Sequence, residues 1–584
     1  MAEYLILEVS DKLLQHLDNV QEGKSGEELM NELNAIPEDR ERVESVKAIL
    51  RNFQLPELKV QNKKIPECVE TEYLESARIS MLTHDLEFAL AKVNKGLAHI
   101  PSDQEGLRAK ALTVRSEILL RMRQFNACAS DVHAALACTL DPESQIKLKN
   151  KLDLCLKYMA KAAQPTKQEA DSGDTEREIC ELAARMTVTD CGKLAVSTAN
   201  PLVPCVSDAL KLEVDSENKI HRFVATREIK AGEILISEEP LVSFLNPDQL
   251  DRCCSCMHHA LNLIPCDTCQ WEVYCSEKCK AEAKDLHSKE CALMPALQSA
   301  GVQFNMLNLM KLKLAHDITK CQRDDQLGYT KPLLSSDPNS LFLQRPILSE
   351  NKAMLTMFFT LWARILGYEE QSPDFDQLVL SLGELVTRLS AATFSIDQVV
   401  PFGGYLGEDS NSAVGLGVYP VTALVSHACS PNTTTFSLGR RLIMQATRLI
   451  TAGSLVTQCL YPEVDFLKIG RALRQSLLQD ACFQSGGLEC KCEACEQNWD
   501  TLDKLDSCDP QDQEVAMLVE APLTTDLLPY AFLKAEEMEM RKETHTKEFH
   551  MLQERIRMAV AKQGNVSNIK PKHALVALDE IFVE

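Results

Sequence analysis

The chain has no basic surplus. Its 62 Lys and Arg residues face 85 Asp and Glu, a formal net charge of −23 over 584 residues. A protein that grips nucleic acid through its phosphates carries a basic face in at least one domain. The acidic balance therefore argues against direct nucleic-acid binding and leaves protein partners as the route to chromatin. There is also no run approaching about 20 consecutive apolar residues, the length that spans a bilayer. The chain begins Met-Ala-Glu-Tyr-Leu, without the basic and apolar stretches of a secretory leader. No membrane association is expected, and a soluble intracellular protein is. In that reducing setting the 23 cysteines are free thiols or metal ligands, not a disulfide framework. No basic localisation cluster is present, so both cytoplasmic and nuclear residence are expected. The length calls for roughly two to four domains.

The best-determined stretch is Cys253 to Cys291. It places Cys253 and Cys256, Cys266 and Cys269, Cys275 and Cys279, and His287 and Cys291 in closely spaced pairs. Zinc takes four such ligands, and a Cys-x2-Cys turn sets two thiolates on one ion. Eight ligands make two complete sets. A segment this short cannot bury a core of its own, so metal supplies its folding energy. Farther along, Cys490-Lys-Cys492-Glu-Ala-Cys495 offers three ligands and lacks a fourth. Cys429, beside the Ser430-Pro431-Asn432 turn, is the candidate to complete a third zinc site. Within the first segment His258 and His259 read as solvent-facing, Cys254 as a bystander and Trp271 as packing on the metal-bound fold. The other cysteines read as buried thiols or ordinary surface residues.

Residues 1–163 read as helical, and two segments repeat. A shift of 39 aligns Ile79 with Ile118, Met81 with Leu120, Leu86 with Phe125, Ala89 with Cys128, Val93 with Val132, Gly96 with Ala135 and Leu97 with Leu136. Small residues at 89/128 and 96/135 would let a paired helix approach closely, with Pro101 and Pro142 closing the units. The pattern resembles tetratricopeptide hairpins, with a period above the usual value of about 34, and would present a groove to a peptide or partner. An ordinary helical bundle is the plain alternative. Residues 164–176 are polar, with Pro, Ser and Gly, and read as a linker. Residues 208–252 turn β-rich, with two β-branched runs around Lys230-Ala231-Gly232 that signal a hairpin. Residues 292–395 read as mainly helical, and Ala353–Leu366, apolar nearly all round, should be buried. β character returns at about 415–460. The tail from about 510 is helical, and the charged stretch Glu536–Lys547 reads as a solvated face.

The segment Gly417–Asn432, ending Ser-His-Ala-Cys-Ser-Pro-Asn, resembles the Asn-His-x-Cys-x-Pro-Asn motif of SET-domain lysine methyltransferases. Cys253–Cys291, with its Val273-Tyr274-Cys275 run, resembles a MYND zinc finger. A SET domain split by a MYND finger, with helical repeats in front, is similar to the tetratricopeptide-bearing branch of the SET-and-MYND family. The resemblance covers residues 70–500. It implies an α+β multidomain fold: helical repeats over 1–163, a first SET part at 208–252, the finger at 253–291, a helical insert at 292–395, a SET core at 396–462, a post-SET zinc segment at 463–500 and C-terminal helices at 501–584. It also implies three zinc ions. Cys253, Cys256, Cys275 and Cys279 would hold one, and Cys266, Cys269, His287 and Cys291 another. Cys429, Cys490, Cys492 and Cys495 would hold the third.

The implied chemistry is methyl transfer from S-adenosylmethionine to a neutral lysine amine of a histone or non-histone protein. The amine is neutralised in a narrow dry channel and aligned with the methyl group. Cofactor contacts would fall on His221, Arg222, Ser426, His427 and Phe483, with Tyr461 as the catalytic tyrosine. Several positions depart from the family pattern. Ile220 replaces a glycine of the cofactor turn, Ala392 and Ser426 replace asparagines, and Leu460 stands where the tyrosine belongs. The Tyr-x-Phe before the last cysteines reads Gly486-Gly487-Leu488, with Phe483 nearby. Because neighbouring strand residues face opposite ways, Tyr461 takes the role of position 460 only across a bulge. The zinc positions all match while the cofactor positions fail or shift, which keeps a second reading open. In that reading the protein is a catalytically degenerate adaptor that binds proline-rich, chromatin-associated or other protein partners through its finger and repeats. The acidic balance sets a nucleic-acid-binding zinc protein behind both. Nothing in the sequence fixes an oligomeric state.

Overall fold

The computed structural model describes residues 26–53, 66–138, 141–162, 194–201, 203–214, 221–246, 249, 251–291, 352–365, 367–389, 392–400, 410–461, 464–480, 490–507, 513–520 and 523–566. The linker at 164–176, residues 292–351 of the helical insert, Ile220, Phe483 and the Gly486-Gly487-Leu488 stretch lie outside the described residues.

Two short helices, α1 (Gly26–Ala35) and α2 (Asp39–Ile49), open the described chain. They do not extend the repeat. Leu29, Leu33, Val46, Leu50 and Phe53 share a core with Ala353, Met357 and Leu361, three hundred residues away. In the apolar run, Ala353, Met357, Phe359, Leu361 and Ala363 are buried, and these helices help to cover that face.

The repeat itself is built from α3 (Glu75–Leu82, entered through a π-turn at Val69–Leu74), α4 (Leu86–Ala98), α5 (Glu105–Arg121), α6 (Phe125–Leu136) and α7 (Pro142–Ala162). Asp85 caps α4 by accepting from the Phe88 amide at 3.2 Å, satisfying one of the donors that a helix start leaves open. Ala89, Gly96, Cys128 and Ala135 are all buried. A Cβ on Gly96 would come within 3.0 Å of Tyr73 Cβ, so close approach of the preceding helical turn is what that position demands. Pro142 does not close a unit. It is the first residue of α7, where its missing N–H costs nothing.

The β region has a different connectivity from the expected hairpin. Strands β1 (Leu210–Val214) and β2 (His221–Ala225) pair antiparallel with each other. The strand after the turn, β3 (Ile234–Glu238), pairs instead with Arg441–Ala446, more than two hundred residues on. Gly232, at φ +91°, makes the turn between β2 and β3, yet local turn chemistry does not choose strand partners. A short β4 (Ser243–Leu245) lies beside β8 (Ser410–Val418), which also pairs with β7 (Thr393–Val400). Two-residue strands β5 (Ile264–Pro265) and β6 (Val273–Tyr274) and helix α8 (Glu277–Glu290) form the cysteine-rich insert. Helices α9 (Lys352–Ile365) and α10 (Pro373–Leu389) precede β7. Ser426–His427 (β9) runs parallel to Thr457–Gln458 (β12), and between them β10 (Thr433–Leu438) and β11 (Arg441–Ala446) form a hairpin.

After α11 (Arg471–Asp480), the C-terminal helices α12 (Gln513–Glu520), α13 (Leu528–Met540) and α14 (Lys547–Ala561) cover the β10–β11 hairpin. Phe436, Leu438 and Ile443 pack there with Val515, Ala531, Met538, Leu552 and Ile556. Glu536–Lys547 is therefore not simply a solvated face. Met538 is buried, Glu536 accepts from the Ala231 amide at 3.3 Å, and Glu539 accepts from the Leu449 amide at 3.1 Å. Among the described residues no helix is long and apolar enough to cross a membrane.

Candidate functional site

The cysteines gather into three sets whose ligand atoms lie within 4.8 Å of one another: Cys253, Cys256, Cys275 and Cys279; Cys266, Cys269, His287 and Cys291; and Cys429, Cys490, Cys492 and Cys495. A tetrahedral zinc with bonds of about 2.3 Å to sulfur spaces its thiolates by about 3.8 Å, and a nitrogen ligand sits slightly closer. The observed separations match. Cys256 and Cys275 Sγ are 3.7 Å apart, Cys275 and Cys279 3.5 Å, Cys269 Sγ and His287 Nε2 3.5 Å, and Cys429 and Cys495 3.6 Å. Local folding sets these positions: Ser276 caps α8 by accepting from the Cys279 amide at 3.2 Å, which fixes that ligand in the first helical turn. Each donor set fits zinc. Trp271 packs on this small fold, as expected of a segment with little other core.

The insert is anchored from its own loop. Met257, at φ +60°, is fully buried against Leu245, Ile396, Val414, Tyr419 and Leu442. Arg252, also buried, donates to the Met257 carbonyl at 2.8 Å and to Gln398 Oε1 at 2.7 Å. Burial pulls its guanidinium down to about 10, against the opposing charge of Asp251. His258 and His259 are not solvent-facing. His258 packs where Gly439 leaves room for it. His259 sits between Asp251, 2.8 Å from Nδ1, and the Val566 carbonyl, 2.9 Å from Nε2. Sequence reasoning missed these contacts because the partners that bury the loop, Gln398, Gly439 and Val566, lie on other segments.

The segment with the SET-like motif is tied into a knot. Through the parallel β9–β12 pair, Ser426 faces Thr457 and His427 faces Gln458. Asn432 donates to the Leu455 carbonyl and accepts from the Thr457 amide, at 2.9 and 2.8 Å. Gln458 Nε2 donates to the carbonyls of Thr422 and Val425. The Leu460 amide donates to His427 Nδ1 at 3.3 Å. Burial pushes the His427 imidazole down to about 4, so it is neutral and can accept. Tyr461 packs against the cluster of Cys429, Phe466 and Cys495; its ring centroid is 6.4 Å from that of Phe466, whose own ring centroid is 5.1 Å from that of His427. The structure thus brings Ser426, His427, Leu460 and Tyr461 together.

β2 joins the same assembly, because the Val456 amide donates to the Phe223 carbonyl at 3.0 Å and Val224 bridges Leu455. His221 and Arg222 open that strand. Burial lowers the His221 imidazole below its ordinary value, and its Nδ1 is buried without a hydrogen-bond partner among the described residues. An orphaned polar atom at the mouth of β2 suits a polar ligand. Glu238, which ends β3, is fully buried, and its carboxylate accepts from the amides of Val421 and Thr422 at 2.9 and 2.8 Å and from the Thr422 hydroxyl at 2.7 Å. Burial lifts this carboxyl to about 7, although the three donors pull the other way. The one signal for it in the sequence is an acidic residue closing an otherwise apolar strand.

Several known proteins are similar in sequence to this chain over part of its length. Over 542 residues the chain is 22% identical to the protein-lysine N-methyltransferase SMYD4 of Homo sapiens, covering 73% of this chain and 66% of that protein. It is 26% identical over 295 residues to the mouse histone-lysine N-methyltransferase SMYD3, covering 50% of this chain and 62% of that protein. The Xenopus laevis N-lysine methyltransferase SMYD2-B is 24% identical over 377 residues, covering 62% and 77%. The chain is thus similar to several SET-and-MYND lysine methyltransferases at 22–26% identity. It spans just under two thirds of the length of its human SMYD4 relative. No family model matches it.

Proposed function

We propose that this protein is a protein-lysine N-methyltransferase that uses S-adenosylmethionine as methyl donor and acts on a histone or non-histone protein. The similarity to several lysine methyltransferases, extending over 73% of the chain in the SMYD4 case, carries the reading. In it the β region is a SET fold, residues 253–291 are a MYND finger and residues 66–162 are tetratricopeptide-type hairpins. His221, Arg222, Ser426 and His427 would hold the methyl donor, and the orphaned His221 Nδ1 supports a polar ligand there. Tyr461 would orient the lysine amine, which must lose its proton before it can attack; a dry channel favours the neutral amine and alignment does the rest. Residence in both cytoplasm and nucleus fits protein substrates in either place.

A specific observation favours a second reading, that of a non-catalytic adaptor. Ser426 and Leu460 contribute to the knot through their backbones, so the fold survives without the side chains of the family pattern. Titration calorimetry of the zinc-replete chain with S-adenosylmethionine separates the two. Methyl transfer requires binding below millimolar concentration, and absence of heat at millimolar cofactor rejects it. With binding established, Tyr461→Phe should lower the rate of methyl transfer at nearly unchanged cofactor affinity. An unchanged rate removes Tyr461 from the chemistry.

A further inference from the structure

The helical module and the cysteine-rich insert meet through a short peptide, Leu261-Asn262-Leu263. Three successive helices converge on it. Asn94 of α4 donates to the Leu261 carbonyl at 3.3 Å, and Arg115 of α5 donates to the Leu263 carbonyl at 2.9 Å. The chain bends at Leu261 and Asn262, so this pair of donors reads a bent backbone whose carbonyls on either side of Asn262 both turn to the helices. Arg115 is itself held by Asn94 Oδ1 at 2.7 Å and by both carboxylate oxygens of Asp131 of α6, at 2.7 and 2.8 Å. Arg115 and Asp131 are almost wholly buried, with side chains 5% and 3% exposed. Between the two carbonyls, the Asn262 side-chain amide donates to the Ala127 carbonyl and to Asp131 Oδ1, both at 2.8 Å. The Leu261 side chain packs into the core of the helical module.

These contacts are selective. The Asp131 carboxylate and the Ala127 carbonyl together require two N–H donors on one short side chain, which Asn supplies and Asp does not. An Asp in that place would set one carboxylate against another. Leu263 is itself 1% exposed, so position 263 is read through a buried apolar side chain as well as its carbonyl, while position 261 is read by an apolar surface and position 262 by two acceptors.

We propose that the helical module is a peptide-recognition site for a bent apolar-Asn-apolar segment, and that in this chain its ligand is the insert's own loop. A partner protein that presents the same segment would compete for the groove and release the insert. This recognition operates whether or not the protein transfers methyl groups.

The probe is a labelled, N-acetylated and C-amidated peptide of the sequence of residues 258–265, tested by fluorescence anisotropy against the full zinc-loaded chain. The tethered loop competes at a high effective concentration. The double variant Leu261→Ala/Asn262→Ala should therefore bind the probe at least tenfold more tightly than the unmodified chain does. A probe carrying Asn262→Asp should bind neither. Equal binding to both chains, no binding to the double variant at millimolar probe, or binding of the Asp probe each overturns the proposal. A readout on the unmodified chain guards against a misfolded variant. Millimolar probe should raise hydrogen exchange at residues 260–265 while α4–α6 stay protected, and unchanged exchange there also overturns it.

Discussion

Replacing Glu238 with Gln tests the electrostatics at the centre of the β region. In the folded chain this carboxyl is raised from its ordinary 4.5 to about 7, because burial removes water and the three donors only partly replace it. A folded value above the unfolded one means that the native state holds the proton more tightly. The stability that this contributes is complete below about pH 4.5 and is lost as pH rises through 7. Each tenfold gain in proton affinity on folding is worth about 1.4 kcal/mol, so the chain loses about 3 kcal/mol of stability in this region between pH 4.5 and 8. Gln cannot titrate. It keeps one acceptor and turns an NH2 toward a backbone donor, which costs about 1–3 kcal/mol at any pH. The variant should be the less stable of the two at pH 5 and should draw level with, or pass, the unmodified chain at pH 8. Because the chain has several structural units, a single unfolding energy is ill-defined. Hydrogen exchange of peptides covering 234–238 and 441–446, corrected for intrinsic rates, reports the local opening energy instead. Both chains carry the same cysteine sets, so the pH dependence of metal binding cancels in the comparison. A gap between the two chains that stays constant within about 0.5 kcal/mol from pH 5 to 8 would falsify the assignment of Glu238 as a raised, titrating group.

Three other perturbations are informative. Gly439→Ala places a Cβ in a left-handed position (φ +57°), 2.5 Å from the Cys256 carbonyl and 2.4 Å from His258 Cε1; it should cost at least about 2 kcal/mol and raise hydrogen exchange over 251–260, whereas unaltered exchange would remove this glycine from the anchoring. Cys429→Ser should lower bound zinc from three ions to two per chain by elemental analysis and loosen 426–461 while leaving 253–291 protected. Retention of three would show that Cys429 is not a ligand. Asn565→Ala removes bonds to the Gly439 amide and carbonyl, both at 2.8 Å, and to the Asp397 carbonyl at 3.2 Å. The buried amide left behind makes the loss about 3 kcal/mol, and limited proteolysis should then cut after α14 much faster; an unchanged cleavage rate would argue that the segment is held elsewhere.

What could be read in advance follows the range of the interactions. The three cysteine-rich sets were legible because donors for one ion follow a spacing rule that does not depend on the rest of the fold, and the small positions Ala89, Gly96, Cys128 and Ala135 were legible because a repeat displays them twice. The hairpin around Gly232 misled because turn residues report the turn alone: β3 finds its partner in β11, where Met444 and Ile236 join one core. Residues 26–53 looked like part of the helical array for the same reason, since helical periodicity does not say which apolar face another helix will meet. Glu238, Arg252, Asn262 and Asn565 gave almost no signal. Each is a polar residue whose meaning lies in a partner more than a hundred residues away.

The loop between Cys256 and Cys266 shows how the pieces depend on one another. Its first half, Met257 to His259, faces the β region and the C-terminal segment, while its second half, Leu261 to Leu263, is gripped by the helical module. The cysteine that begins the loop belongs to one four-ligand set and the cysteine that ends it to the other. Metal at the first set would therefore fix the half that meets the β region, and metal at the second the half that meets the helices. Because the binding energy of a structural zinc is folding energy for so small a segment, zinc at these sets would make both interfaces metal-dependent. Loss of the ion held by Cys266, Cys269, His287 and Cys291 would loosen the grip of Asn94 and Arg115 on the loop. Loss of the ion held by Cys253, Cys256, Cys275 and Cys279 would free Met257 from its pocket beside Tyr419, next to the strands that carry the knot.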